Sequence, residues 1–371
     1  MEHLIANFIH IDFGIAIQVV TLGFIGGVLS GFIGSGGAFF MTPGMMNLGV
    51  EGVIAVASNI THKFGKAMVG SHKHGEAGNV DKKLALYVLG SAVIGIQIAV
   101  FINSLLFKGG TGHGASKGAG ANLYISLVFA LILSVVALSM LRDLLKNRGK
   151  GDDDSGPSRR IAEALSRLNL PPMIHFKVAD VTVSLWILLI CGIATGYLAG
   201  TIGVGGFIGV PAMIYVFGVP TAVAAGTELY LAMFMGGYGA LSYAFQGFVD
   251  IRLTLLLYLG SLIGIYLGVY GVKVVNERYI RMVTSVIILL CVISRAIAIP
   301  MYLRQLGFID MDPGLDIYFN NISKFFLFAS GITGTLLILL NVIKANLQQR
   351  KTQRSIRVVK SPSTNLTLGV E

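Results

Sequence analysis

The chain reads as a succession of apolar runs separated by short polar loops. The runs fall near 13–34, 38–48, 52–71, 84–106, 121–143, 182–202, 206–217, 219–246, 253–273, 279–300 and 323–345. A helix needs about 20 apolar residues to cross a bilayer, so most of these runs predict membrane spans. The runs at 38–48 and 206–217 are too short to cross in the ordinary way, and each is bracketed by Gly. Interrupted helices of this kind recur in transporters. Residues 145–180 differ in kind. NRGKGDDDSGPSRR reads as a solvated linker, and IAEALSRLNL after it as a short amphipathic helix on the membrane surface. Asp152 to Asp154 lack the rest of a calcium loop and are assigned to the linker.

The pattern repeats. GFIGSGG at 31–37 recurs as GTIGVGG at 200–206, an offset of 169. At the same offset Gly49-Val50 meets Gly218-Val219, Ala57-Ser58-Asn59 meets Gly226-Thr227-Glu228, Gly70 meets Gly239, and Asp81 meets Asp250. After a slip of one residue, Leu89-Gly90-Ser91 meets Leu259-Gly260-Ser261. Such register-matched identity marks an internal duplication.

Charge orients the copies. Lys73, Lys82 and Lys83 lie in the loop at 72–83, six Lys and Arg lie between Arg142 and Arg160, and the loop at 273–281 carries Lys273, Arg278 and Arg281. The tail after Lys344 is basic, whereas 301–322 carries Asp310, Asp312 and Asp316. Basic loops stay in the cytosol. All four basic stretches fall inside only if each short segment reverses the chain as a span does. Each repeat then holds five segments, an odd number, and the halves are inverted. If the short segments are re-entrant and return to the same side, the basic loops land on opposite faces. The expected fold is therefore an all-α polytopic membrane protein of two inverted repeats of about five helical segments, plus an extra C-terminal helix. Its parts are a transmembrane repeat at 1–144, a cytosolic linker at 145–181, a second repeat at 182–300, an extracytoplasmic loop at 301–322, a last membrane helix at 323–345 and a cytosolic basic tail at 346–371.

Composition agrees. Of 371 residues, 54% are hydrophobic and 12% charged, with a mean hydropathy of +0.77. A soluble domain carries about 25% charge. The net charge of +10 sits in loops and tail, which argues for membrane orientation and against nucleic acid. The 48 glycines suit close helix packing. Cys191 and Cys291 lie within apolar runs and suggest neither disulfide nor metal site. Residues 1–12 lack the basic start of a cleavable signal.

GFIGSGG followed by MTPGMMNLGV and AVASNIT, then GTIGVGGFIGVPAMIYVFGVP and AVAAGTEL, resembles the sulfite exporter TauE/SafE family, also called the toluene sulfonate uptake permease family. The resemblance covers about 13–106 and 182–300. It implies a secondary transporter, an exporter of small sulfur-containing anions such as sulfite, sulfoacetate or other sulfonates, in a bacterial inner membrane. The chain departs from the commoner pattern at Glu51, where the second copy has Pro220, and at Asn59 and Glu228, where many relatives have a small hydroxyl residue.

The residues themselves suggest where an anion would bind. Gly34, Gly36 and Gly37, with Gly203, Gly205 and Gly206, let the chain turn tightly and start a helix whose first N–H groups face outward. The alternative is that these glycines serve only close packing. Ser58, Asn59 and Thr227 offer hydroxyl and amide donors at intramembrane depth, suited to sulfonate oxygens. Glu228 suits coupling to a proton or a cation; its alternatives are an ion-pair partner for Lys66 or Arg295, or a neutral buried acid. His62, Lys63 and Lys66 either attract or gate an anion at the cytosolic mouth or snorkel to the interface. Tyr230, Tyr238 and Tyr243 read as packing aromatics, and His72 with His74 make a weak metal signal, so neither metal nor cofactor is expected. The expected partners are a small anionic substrate, lipid, and in one arrangement a second copy of the chain. No nucleophile–base pair stands at a recognisable spacing, so an enzyme is not expected. The alternative to a transporter is an anion channel or an accessory membrane subunit of a larger complex.

Overall fold

The computed structural model describes residues 8–33, 37–108, 118–146, 170–203, 205–274 and 277–359. It is 82% helical, with eleven α-helices among the described residues. The first five are α1 (Phe13–Ile33), α2 (Ala38–Asn47), α3 (Gly52–Glu76), α4 (Lys82–Lys108) and α5 (Ala119–Lys146). A two-stranded hairpin follows, β1 (Met173–Phe176) and β2 (Val181–Ser184). The remainder are α6 (Leu185–Ile202), α7 (Gly206–Pro211) continued by a π-helical turn at Ala212–Val216, α8 (Thr221–Phe245), α9 (Ile251–Val274), α10 (Glu277–Gln305) and α11 (Leu315–Val359). Among the described residues seven helices are long and apolar enough to cross a membrane: α1, α4, α5, α6, α9, α10 and α11. The chain is a multi-pass membrane protein. The 25-residue α3 and α8 are long enough but more polar; both lie at the centre of the bundle, packed on each other.

Helix directions follow from which residues touch. The offset of 169 carries both ends of α3 onto both ends of α8. Gly239 lies against Ile60, Gly236 against Phe64, Gly226 against His74, and Leu229 against Gly70. Numbers fall along one helix as they rise along the other, so equivalent helices pack antiparallel. The pseudo-twofold axis relating them is perpendicular to both, and for helices crossing a bilayer it lies in the membrane plane. The repeats are inverted.

The flanking pairs obey the same operation. Gly23, Gly27 and Gly31 of α1 meet the backbone of Leu257, Ser261 and Ile265 of α9, a parallel pairing. Its counterpart sets Gly196 of α6 on Ala92 of α4 and Gly200 on Ala99, also parallel. Helix α3 runs with α9 too, because Thr254 Oγ1 donates to Ser58 O at 3.3 Å and Tyr258 Oη to Thr61 O at 3.1 Å. With α1 and α3 both parallel to α9, α2 must bring the chain back between them. It does so against α1, with Gly37 on Gly26 and Gly44 on Leu22. Helix α2 therefore starts level with the middle of α1, inside the membrane, and the short segment reverses the chain. Each repeat has five segments, and α11 lies outside them, packed on α10, α9, α2 and α1.

Boundaries shift where polarity and helicity part company. Helix α3 runs past 71 to Glu76, because a helix continues through SHKHGE although that stretch is no longer apolar. Likewise α11 extends on both sides of 323–345, through polar helix formers such as ANLQQRK, and the connection expected at 301–322 shrinks to 306–314. The β1–β2 hairpin straddles the end of the expected linker and takes the first residues of the run read at 182–202, with His175 opposite Thr182; strands of four residues leave no readable period. Asp152 to Asp154 and residues 161–169 of the expected amphipathic helix lie outside the described residues, as does the tail beyond Val359.

The inter-repeat seams rest on absent side chains. A Cβ at Gly260 would run into Val20 O and Phe24 N, whereas one at Gly90, its repeat mate, meets nothing within 4 Å. We expect Gly260→Ala to destabilise the protein by about 1–3 kcal/mol through overpacking and Gly90→Ala to be neutral or stabilising, as read by thermal unfolding in detergent.

Candidate functional site

The break between α6 and α7 lies at the seam between the repeats. A helix ends with four carbonyls that have no partner inside it, and within a membrane each needs another donor. At the end of α6 all four are met. Ala199 O accepts from Gly203 N at 2.9 Å, and Gly200 O from Tyr243 Oη at 2.7 Å. Thr201 O takes a longer bond from Asn103 Nδ2 at 3.4 Å, and Ile202 O accepts from Thr42 Oγ1 at 3.1 Å. Thr42 belongs to α2, so the half-helix of one repeat closes the interrupted helix of the other. Gly203 makes the turn at φ 75°, the left-handed region that glycine adopts freely.

Around this junction the structure gathers part of the expected set. Asn59 Nδ2 donates to Thr42 Oγ1 at 2.8 Å and to Ala38 O at 3.0 Å, which leaves its Oδ1 buried without a hydrogen-bond partner. A Cβ on Gly203 would stand 3.1 Å from Asn59 Nδ2, and one on Gly205 would stand 3.0 Å from Lys63 Nζ. The backbone at Gly203 and Gly205 therefore forms a wall against these polar groups. Gly206 is buried at the start of α7. Lys63 Nζ lies 3.9 Å from Glu228 Oε1, and neither carboxylate oxygen of Glu228 has a hydrogen-bond partner. Gly209 of α7 lies directly against that carboxylate. The side chains of Lys63 and Glu228 are 11% and 3% exposed, so the pair is screened from both membrane faces. Asn59 and Glu228 are repeat mates: the pseudo-axis places an amide on one side of the centre and a carboxylate on the other.

Other expected residues take different posts. Ser58 and Thr227, also repeat mates, do matching structural work. Ser58 Oγ accepts from Asp250 N at 3.3 Å and Thr227 Oγ1 from Asp81 N at 2.9 Å, each fixing the loop ahead of the opposite repeat's fourth helix. Asp81 in turn accepts from Val178 N and Ala179 N at 3.1 Å, which anchors the hairpin. His62 Nε2 meets Ser261 Oγ on α9 at 2.7 Å, with its ring against Tyr258. Lys66 bonds Ser30 on α1. Glu228 thus pairs with Lys63, not with Lys66 or Arg295. Gly37 packs on the backbone of Gly26, so its first duty is the return of α2. Gly34 and Gly36 lie outside the described residues. His72 pairs with Glu76 at the surface, and no group of three metal-ligating side chains occurs among the described residues.

Four residues went unnoticed as parts of this site. Thr42, Asn103 and Gly209 are ordinary letters in apolar runs, and Tyr243 reads as a packing aromatic. An accounting of the carbonyls released at GTIGVGG signals that donors must exist without saying which.

The sequence model of the sulfite exporter TauE/SafE family matches residues 19–295. The chain belongs to that family. The TauE/SafE match takes in both repeats up to Arg295 of α10 and leaves the rest of α10 and all of α11 outside. Among curated relatives, the probable membrane transporter protein YjnA of Bacillus subtilis (strain 168) is 23% identical over 275 residues, 74% of this chain and 97% of the relative. The probable membrane transporter protein YdhB of the same organism is 23% identical over 253 residues, 67% of this chain and 87% of the relative. No solved structure matches the chain significantly. As a TauE/SafE protein the chain is a membrane transporter.

A buried pair and a pair of neutral groups differ in how they fail. Removing one partner leaves an uncompensated charge, at about 3–5 kcal/mol, whereas replacing both is close to neutral. We expect Lys63→Met to lower thermal stability by that order and Lys63→Met with Glu228→Gln to recover most of it. A double-mutant cycle by thermal unfolding reads the coupling; additive losses would exclude the pair.

Proposed function

We propose that this TauE/SafE transporter moves small sulfur oxyanions, such as sulfite, sulfoacetate or other sulfonates, out of the cell by alternating access about the junction of the two repeats. The observation that carries the reading is the Lys63–Glu228 pair: two opposite charges at the seam, neither fully hydrogen-bonded, against the bare backbone of Gly205 and Gly209. Lys63 supplies the cation for an oxyanion, beside the first turns of α2 and α7. The excess of Lys and Arg in the α3–α4 connection, the linker and the tail supports a cytosolic position for them.

Glu228 makes that site conditional. Ionised, it neutralises Lys63 and repels an anion. Protonated, it releases Lys63 to the cargo. Anion and proton therefore occupy the site together and cross together. A divalent anion leaving with one proton carries one net negative charge outward, a step that an inside-negative potential favours by about 2.3 kcal/mol per 100 mV. Burial of the pair from both faces suits a carrier that opens to one side at a time better than a continuous channel.

Proteoliposome flux tests this. We expect sulfite or a sulfonate to move faster when a proton gradient runs in the anion's direction. Glu228→Gln, which mimics the protonated acid, should keep flux and lose its proton dependence. Lys63→Met should cut flux roughly tenfold or more, the loss of one charge-assisted contact. Absence of flux for every anion with folded protein, or intact proton dependence in Glu228→Gln, overturns the proposal.

A further inference from the structure

Arg295 is a second buried cation, at the far end of α2 from Lys63. It projects from α10 and is fully buried. Its Nη2 donates to Asn47 Oδ1 and to Ser323 Oγ, the latter at 2.9 Å. Nη1 meets the thioether of Met46 at 3.9 Å, the Tyr302 side chain lies against the guanidinium, and Nε has no hydrogen-bond partner. Among the described residues no carboxylate pairs with it. Ser323 is itself tied to Ser294 O at 2.8 Å and to Asn47 Oδ1 at 3.2 Å. The guanidinium is thus held by neutral groups alone. A buried charge without an ionic partner is costly, and an ionisable group in the membrane interior is a functional candidate by default.

A cavity of about 340 Å³ adjoins it, bounded in part by Met46 and Tyr302, which both touch Arg295. The carboxylates on its wall are engaged elsewhere. Asp316 is held by Arg304 at 2.7 and 2.5 Å and by Gln305 at 3.1 Å, and Glu51 accepts from Asn122 at 3.2 Å. Arg295 lies behind Met46 and Tyr302 of that wall and keeps an Nε–H without a partner. Asn47 is the last residue of α2, whose first turn adjoins Asn59 and the central junction. Ten helical residues span about 15 Å, so α2 reaches from one cation to the other. Ser323 and Tyr302 lie beyond the stretch matched by the family, so this arrangement belongs to the C-terminal part of the chain.

We propose that Arg295, with Tyr302, forms a second oxyanion site, which takes the same class of small sulfur oxyanion at the end of the transporter remote from the basic loops. The site rests on the reading of the protein as an anion transporter. Cargo bound there takes up the idle Nε–H and competes with Asn47 for the guanidinium, so occupancy loosens the C-terminal anchor of α2. The competing explanation is that Arg295 only caps the C-terminal end of α2, whose dipole favours a cation.

Asn47→Asp separates the two, because it supplies the missing carboxylate from within and keeps the cap. The measurement is binding stoichiometry of sulfite, and of sulfate as a second probe, to full-length protein in nanodiscs, by titration calorimetry with thermal unfolding as the check on fold. We expect two anions per chain in the wild type and one in Asn47→Asp, at unchanged or higher melting temperature. Lys63→Met should also retain one, and the double variant none. Tyr302→Phe, which leaves both charges in place, should weaken the outer site about tenfold. A folded Asn47→Asp or Tyr302→Phe that binds as the wild type does overturns the second site while leaving the central one standing. Unchanged stoichiometry in Lys63→Met overturns the central site instead, and a wild type that binds no anion overturns both.

Discussion

A helix that stops halfway through a membrane leaves backbone donors and acceptors where water does not reach. This constraint organises the molecule. The end of α6 shows the solution in full, with four released carbonyls met by Gly203 N, Tyr243, Asn103 and Thr42. Three of those donors come from other helices, and two of the three, Asn103 and Thr42, from the opposite repeat. Satisfying the break is thus what draws α2, α4 and α8 to one point. The residues placed there for structural reasons become the walls of the site. Asn59 illustrates the overlap: its amide N–H groups secure α2, while its carbonyl oxygen is left over.

Symmetry supplies the frame, and departures from it supply the chemistry. Ser58 and Thr227 remain equivalent in position and in task, each holding an Asp backbone N–H of the other half. Asn59 and Glu228 remain equivalent in position only. His62, Lys63 and Lys66 have Leu231, Ala232 and Met235 as repeat mates, so all three basic groups near the centre come from one copy. Those groups step along α3 from the junction toward the end where the basic loops lie. A duplicated scaffold thereby gains a polarity that two identical copies facing each other could not have.

Much of this was legible in the sequence. Apolar runs located the helices, the offset of 169 located the repeats, and the charge of the loops implied that the short segments reverse the chain. The antiparallel contact of α3 with α8 is the same conclusion in three dimensions. The intramembrane polar letters also fall on the two helices, α3 and α8, that pack on each other at the centre. What stayed hidden was pairing. Positions 59, 62, 63 and 66 fall on neighbouring faces of one helix, and a rotation of about 100° per residue decides whether each meets α1, α8 or α9. Sequence spacing therefore left His62, Lys63 and Lys66 as one basic group and could not assign Lys63 to Glu228. Ser58 and Thr227 looked like donors for a substrate because hydroxyls at that depth need partners; the partners are loop backbones 192 residues away in one case and 146 in the other.

The parallel seams have a consequence for how the protein is made. Gly27 of α1 meets Ser261 of α9, 234 positions later. At about 5–20 residues per second of synthesis, α1 waits on the order of 10–50 s for the helix that covers its glycine face. Neither repeat is a folding unit that can close before the other is inserted. The first helices must be held in the bilayer, open along a smooth backbone face, until the ninth arrives. The duplication that gives the carrier its central junction also makes its assembly a late event, and places α1 and α4 among the segments most dependent on the cell's insertion machinery.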